Sequence, residues 1–382
     1  MNFLIAPNAL KGSLSSPDAA RIISTAIRNI LPDAHCLLCP ISDGGNGTLE
    51  CLVQSTGGKF YSASVCGPIA SMTVKAQWGV LGDGTTAVIE MAEAAGLHLL
   101  TPNQYDVLNA NTFGVGELIR EAMNSGYRKI IVGMGGSATN DGGAGCAKAL
   151  GVKFFDEKEM ELQDGGMHLS RLHHIKIKNE ELKIKETEIV GLSDVTNILF
   201  GHEGTAFTYA AQKGATAEQI LLLDAALKHY ASITEGYLGR DISHIPGSGA
   251  AGGLGAGLIA FCNAKIFSGI DYVLDILSFD HLLQQCDCVI TTEGTLDSQT
   301  LHGKGIEGIA RRAKKFCKPV HAFAGKIWGD KATLQKQLEL ATVNQISPDE
   351  VPIEEAMRNA ETFLSKGIRD HFSTKVAKNT KK

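Results

Sequence analysis

The stretch NFLIAPNALKGSLSSPDAARIISTAIRNILPDAHCLLCPI, residues 2–41, decides the fold class. Asn2 to Ala6 reads as a short buried strand. A loop from Pro7 to Ser16 follows, and Pro17 then opens a helix behind the capping residues Ser15 and Ser16, with Asp18 in its first turn. Ala19, Ile22, Ile23, Ala26, Ile27 and Ile30 keep helical spacing, and Leu37 to Ile41 makes the next strand. Strand, helix and strand in this order call for a parallel pair with the helix as crossover, hence a sheet covered by helices.

The carboxyl end repeats the pattern. It reads as a strand at Cys288 to Thr291, a helix at Gly305 to Phe316, a strand at Val320 to Ala324 and a helix at Lys331 to Leu340. A last strand, Ala341 to Ile346, precedes the helix Ile353 to Lys366. The middle has another texture. Tyr61 to Cys66, Thr73 to Leu81 and Thr86 to Met91 are strands joined by short turns, which predicts antiparallel or mixed pairing. Helix and strand then alternate again through Gly114 to Ser125, Lys129 to Gly133, Ala144 to Leu150, Glu188 to Leu192 and Ala217 to Tyr237. The expected fold class is therefore α/β with two α/β domains. A parallel-sheet domain is built from residues 1–61 and 270–371, a mixed-sheet domain, 62–269, is inserted in it, and 372–382 form a basic tail. A cleft between the two domains is the expected ligand site.

Composition narrows the function. Of 382 residues 43 are glycine, where average usage predicts roughly 27. The surplus sits in short clusters with neither a G-X-Y period nor high proline, so it marks turns of positive φ or backbone that approaches a ligand. Net charge is −5 and no basic stripe precedes Lys375, so nucleic acid is not an expected partner. No apolar run is long enough to span a bilayer, and the amino terminus lacks the charged and hydrophobic regions of a signal peptide. A cytoplasmic location with no membrane partner is expected. Nine cysteines, mostly in apolar stretches, are read as reduced thiols, and Cys36-x-x-Cys39 as core packing because it falls inside a strand-like run.

Five polar loops, four of them glycine-bearing, follow predicted strands. They run from Asn8 to Ser13, Ser42 to Thr48, Gly133 to Gly143, Ser193 to Asn197 and Glu293 to Asp297. In parallel α/β sheets ligands bind beyond the carboxyl ends of strands, so these loops predict one site. Glycine amides at helix starts suit phosphate. Asp43, Asp141, Asp194, Glu293 and Asp297 are too many carboxylates for a phosphate site without a divalent cation, and magnesium takes one or two carboxylates plus phosphate oxygens. Lys11, Lys213 and Lys304, each beside a glycine, can neutralise phosphate. Amides, carboxylates and lysines together are the parts of a phosphoryl-transfer site.

The motif G-x-x-x-x-G-K-[ST] is absent, as are H-E-x-x-H and G-x-S-x-G. A dinucleotide fingerprint is imitated by Gly133-x-Gly135-x-x-Ala138 after the strand Lys129 to Val132, with Asp156 where a ribose-binding acid would lie. Against it, Asn140-Asp141-Gly142-Gly143 delays the helix and puts a carboxylate where pyrophosphate would approach. In the small-residue segment, Gly247 to Gly253 reads as a loop feeding a helix amino terminus, and Gly255 onward as packing.

Taken in order, these motifs resemble the bacterial glycerate kinase family of the glycerate 2-kinase type, to about residue 370. The opening block appears as Ala6 to Leu14, and the D-G-G-E-G-T block as Asp43-Gly44-Gly45-Asn46-Gly47-Thr48. A run like A-V-I-E-M-A spans Ala87 to Ala92. G-G-S-A-T-N-D-G-G-A-G is intact from Gly135 to Gly145, Q-K-G-A at Gln212 to Ala215, G-A-A-G-G-L-G from Gly249 to Gly255, and L-H-G-K at Leu301 to Lys304. Four blocks depart from the family pattern: Asn8 stands for a frequent aspartate, Asn46 for a glutamate, Ile198 for a proline, and Thr292 and Thr295 alter the G-E-G-R-[IL]-D block. Asn8 and Asn46 each lose a negative charge, so neither is expected to be the sole metal ligand or base.

What the resemblance implies is a two-domain kinase with one Rossmann-like or flavodoxin-like domain, acting on D-glycerate with ATP and Mg2+ and yielding 2-phosphoglycerate or the 3-phosphate. Asp194 or Asp297 would deprotonate the substrate hydroxyl, and Asp43 or Glu293 would hold magnesium. Lys11, Lys213 and Lys304 would neutralise phosphate or the glycerate carboxylate. Gly44, Gly45, Gly135, Gly136, Ser137, Asn140, Asp141, Gly252, Gly253 and His302 would complete the substrate and phosphate contacts. An NAD-dependent dehydrogenase and a catalytically silent glycerate- or nucleotide-binding protein are the other classes left open.

Overall fold

The computed structural model describes residues 1–69, 71–177, 184, 186–297 and 305–379. The chain forms two units, one of Met1–Asp43, Glu50–Ser55 and Ile270–Lys382, the other of Gly44–Leu49 and Thr56–Gly269.

In the first unit the strands lie in the order Thr342–Gln345, Val320–Ile327, Cys288–Leu296, Asn2–Ile5, His35–Leu38, and every neighbouring pair is parallel. Numbered within the unit this is 2-1-3-4-5, the doubly wound flavodoxin-like order. Its switch point lies between Asn2–Ile5 and Cys288–Leu296, where Phe3 pairs with Cys288 and Ile5 with Ile290. Alternation along the first strand feeds two cores. Phe3 and Ile5 pack with Ile23, Ile27 and Leu364, while Leu4 packs with Phe279, Ile306 and Ile309. Ile23 and Ile27 are fully buried, each stabilising by about 1.5–3 kcal/mol relative to exposure, which fixes the inward face of the helix Ser16–Ile30. That helix starts as expected: Ser15 Oγ accepts from the Asp18 amide at 3.3 Å, with Pro17 in the first turn. Cys36 belongs to the first of these cores and Cys39 to the second, so the Cys-x-x-Cys thiols pack on different sides and form no redox pair.

The carboxyl-terminal pattern shows two departures. The strand Cys288–Leu296 runs past Thr291, the end expected from sequence, because Val320–Ile327 continues the ladder to Leu296↔Ile327. Glu293 and Thr295 therefore stand on a strand, not in a loop. Gly294 reads locally as a turn, but β-branched neighbours and a waiting partner strand override it. The predicted helix from Ile353 is in fact two, Ile353–Arg358 and Ala360–Asn379, parted at Asn359.

The second unit has a six-stranded sheet in the order Lys265–Ser268, Glu188–Ser193, Lys129–Gly133, Thr86–Glu90, Thr73–Val80, Lys59–Cys66. The last three strands pair antiparallel and the remaining neighbours parallel, the mixed sheet the sequence predicts. Val152–Phe155 and His174–Ile177 make a separate antiparallel pair. Within Ala250–Cys262, Ala251, Gly252 and Gly253 have φ of 53°, 69° and 89°, so the helix proper follows a left-handed loop. A Cβ at Gly252 would overlap the Thr139 carbonyl oxygen, which makes glycine obligatory there for both conformation and approach. Among the described residues no helix is long and apolar enough to cross a membrane.

Candidate active site

In the first unit the switch point gathers the expected acidic residues around one amide. The loop after Asn2–Ile5 is tied to the strand Cys288–Leu296. The Asn8 amide donates to the Thr292 carbonyl at 3.3 Å, and Thr292 Oγ1 donates to the Asn8 carbonyl at 2.6 Å. Thr292, a departure from the family block, thus positions Asn8, another departure. Asn8 Nδ2 donates to Glu293 Oε2 at 3.1 Å and to Asp43 Oδ2 at 3.5 Å. Glu293 and Asp43 are only 6% and 4% exposed. Burial first, then the Asp43 charge, pushes Glu293 up to about 7, against donation from Asn8 and the positive field of Lys11.

Lys11, Glu293 and Asp297 also line a cavity of about 410 Å³ at this edge of the sheet. The structure thus brings Lys11, Asp43, Glu293 and Asp297 together. His302 and Lys304 lie outside the described residues. Among the described residues no three His, Cys, Asp or Glu side chains form a metal-sized group. A buried carboxylate pair sharing one neutral donor fits magnesium, which needs few protein ligands when phosphate oxygens supply the rest.

In the second unit the loop after Lys129–Gly133 packs on the loop after Asp43. A Cβ at Gly135 would sit 2.5 Å from Gly45 Cα, and one at Gly136, where φ is 70°, would overlap the Asn46 side chain. Backbone-to-backbone packing therefore accounts for Gly135 and for Gly252, which accepts from the Gly142 amide at 3.0 Å, while positive φ and the Asn46 side chain account for Gly136. The Gly253 φ of 89° brings its backbone against Gly142.

The long loop also holds a buried polar group. Lys213 Nζ donates to Ser137 Oγ at 2.7 Å and to the Thr139 carbonyl at 2.6 Å. It is 2% exposed, and burial lowers it to about 7, with Asp141 pulling the other way. Beside it, Asn140 is fully buried and neither its Oδ1 nor its Nδ2 has a hydrogen-bond partner, an arrangement that buried polar groups rarely tolerate. Asp194 follows the strand Glu188–Ser193 in a turn closed by Ser193 Oγ, which accepts from the Val195 amide at 3.1 Å and donates to the Val195 carbonyl at 2.9 Å. Burial and the Asp194 charge push the neighbouring Tyr209 up to about 12, and its hydroxyl donates to Asn197 Oδ1 at 2.7 Å.

Asp141, read from sequence as a phosphate-site carboxylate, has an internal set of partners. It accepts from the Thr112 amide and hydroxyl at 2.8 Å each and from the amides of Gly143 and Gly145 at 3.2 and 3.1 Å. Burial raises its pKa and these donors lower it. It braces the start of the helix Ala144–Ala149. Glu90 was missed: it accepts from the Gly47 amide at 3.1 and 3.0 Å and from the Leu49 amide at 3.2 Å, so it holds the glycine loop in shape. Its position inside the A-V-I-E-M-A run was the available signal.

The dinucleotide fingerprint does not assemble. The helix begins only at Ala144, far beyond Gly135, and Val152–Phe155 pairs with His174–Ile177 instead of joining the main sheet. Asp156 serves a local turn, accepting from the amides of Lys158 and Met160.

Comparison with known proteins bears on the whole chain. The model described as Glycerate kinase family matches residues 3–374. The chain is 41% identical to the glycerate 2-kinase of Escherichia coli strain K12, over 98% of each chain. It is 40% identical to a glycerate kinase of Halalkalibacterium halodurans, over 96% of each. A crystal structure of a protein assigned as glycerate kinase 2 from Salmonella typhimurium LT2 superposes with a TM-score of 0.87 at 40% identity, covering 100% of this chain and 99% of that one. With the profile, the relatives and the fold in agreement, the chain belongs to the glycerate kinase family.

Proposed function

We propose that the protein transfers the γ-phosphoryl group of magnesium-bound ATP to a hydroxyl of D-glycerate, giving 2-phosphoglycerate and ADP. The observation that carries this reading is the buried Asp43 and Glu293 pair at the switch point, with Lys11 and Asp297 at the same edge. Asp43 and Glu293 would hold magnesium, which when bound neutralises charge on the phosphates. Lys11 stabilises the charge that builds on the transferring group. In the second unit Lys213 and Asn140 bind the oxygens of the acid, because the ammonium has two hydrogen bonds for three donors and the amide has none. Asp194 accepts the hydroxyl proton as the new oxygen–phosphorus bond forms and the bond to the bridging oxygen of ADP breaks. Asp141, Gly252 and Gly253 support the loops. A cytoplasmic reaction is in keeping with nine unbridged cysteines.

The direct test couples ADP release to D-glycerate with and without Mg2+, followed by NMR of the product to separate the 2-phosphate from the 3-phosphate. Glycerate-dependent ADP release is expected only with the metal. Its absence under both conditions sinks the reading, and reduction of NAD by glycerate would replace it with a dehydrogenase.

Lys213 supplies a second check. An anion beside it favours the ammonium form and raises its pKa from about 7. Binding of D-glycerate at about pH 8 is therefore expected to take up close to one proton, and almost none at about pH 6, where the lysine is already charged. Titration calorimetry in two buffers of different ionisation enthalpy measures this. Heats that do not depend on the buffer at about pH 8 would remove Lys213 from the anion site.

A further inference from the structure

We infer that the cavity of about 410 Å³ in the first unit is the pocket for the base and ribose of the nucleotide, with its acidic and basic end facing the phosphates. The inference rests on the phosphotransfer reading above and deepens it by assigning the nucleoside a site. The cavity volume falls in the range of small-molecule sites. Its lining combines the apolar Leu10, Ile346, Val351, Ala356 and Met357 with the charged Lys11, Glu293 and Asp297. That polarity matches a nucleotide, which is flat and largely apolar at the base and highly charged at the phosphates. A three-carbon hydroxy acid, with oxygen on every carbon, has no use for the apolar lining.

Position supports the same occupant. The lining comes from the loop after Asn2–Ile5 and the carboxyl ends of Cys288–Leu296, Val320–Ile327 and Thr342–Gln345, the edge at which doubly wound sheets bind ligands, and is completed by the helix Ile353–Arg358 and Ala360. Trp328, just past the end of Val320–Ile327, lines the cavity and is 62% exposed. Its approach to the sheet is set by its amide, which donates to the Leu296 carbonyl at 2.8 Å. Lys326 Nζ lies 6.0 Å from the indole centroid and is paired with Asp349 at 2.5 Å. An exposed indole at the mouth of an apolar cavity offers a face for a base to stack on.

The probe is ADP with Mg2+, added without glycerate, and the readout is tryptophan fluorescence. The chain has two tryptophans, and Trp78 is 2% exposed in the second unit, so quenching reports Trp328. Saturable quenching is expected in the wild type. Ala356→Phe, which fills the cavity, should raise the half-saturation for ADP and the KM for ATP at least tenfold, leaving the KM for glycerate and kcat at saturating ATP within about twofold. Trp328→Ala removes a ring that is 62% exposed, so the variant should stay folded. It should weaken ADP binding, followed by calorimetry, about five- to a hundredfold, the range of one aromatic stack. Unchanged ADP and ATP constants in Trp328→Ala and in folded Ala356→Phe overturn the assignment, as does a shift confined to the KM for glycerate. The two readings fail separately. ADP binding lost in these variants with no glycerate phosphorylation in the wild type keeps the pocket and removes the kinase reading. Phosphorylation with nucleotide constants blind to both variants does the reverse.

Discussion

Glu293→Gln is expected to lower kcat by about 10²- to 10⁴-fold and to raise the magnesium concentration for half-maximal activity at least tenfold. The substitution keeps shape and removes one of two carboxylates held 3.1 and 3.5 Å from Asn8 Nδ2. Metal stabilisation of a transferring phosphoryl group is worth several kcal/mol, and each 1.36 kcal/mol is a factor of ten in rate. Stability should move the other way. A carboxylate raised to about 7 binds its proton more tightly in the folded than in the unfolded chain, so its contribution to stability falls as pH rises from the unfolded value through about 7. Glutamine removes that loss, and the thermal midpoint of the variant should be equal or higher above about pH 7. Lower activity with undiminished stability marks a functional carboxylate. Wild-type turnover and magnesium response in Glu293→Gln would end its assignment to the metal.

Asp194→Asn is expected to reduce kcat by about 10²- to 10⁴-fold, the range of one general base, while ADP binding stays as in the wild type. Asp194 follows a parallel strand of the second unit, in a turn fixed by Ser193 Oγ, and Lys213 and Asn140 belong to the same unit. Asp297 lies with Lys11 and Glu293 in the first unit, so Asp297→Asn should instead raise the KM for ATP. Steady-state kinetics of the two variants separate these roles. Near-normal turnover in Asp194→Asn together with a collapse in Asp297→Asn would transfer the base to Asp297. Normal turnover in both would remove the carboxylate base altogether.

Much of this site was legible in the sequence because its signals are local. Helix caps, the period of Ala19 to Ile30 and the turn chemistry of glycine are read within a few residues of one another, and the five loops stood out for that reason. The roles within the loops were less legible. Asp141 looked like a phosphate-site carboxylate, yet its partners are Thr112 and two amides of its own turn. Glu90 attracted no assignment because its partners, Gly47 and Leu49, are over 40 residues away. Gly135, Gly136 and Gly252 read as ligand-facing, and the structure adds close neighbours that exclude a side chain there, loop backbone at Gly135 and Gly252 and the Asn46 side chain at Gly136.

The sequence by itself determined the class: a doubly wound parallel unit, a mixed-sheet insertion, and membership of a phosphotransferase family. Period, capping and the order of motifs are one-dimensional properties. Only the tertiary structure decided which charges meet. Glu293 became a strand residue because Val320–Ile327 extended its ladder, and it reached Asn8 across 285 positions of chain. Register between such distant segments is set by packing on both faces of the sheet, since a slip of one residue would turn every side chain to the opposite face.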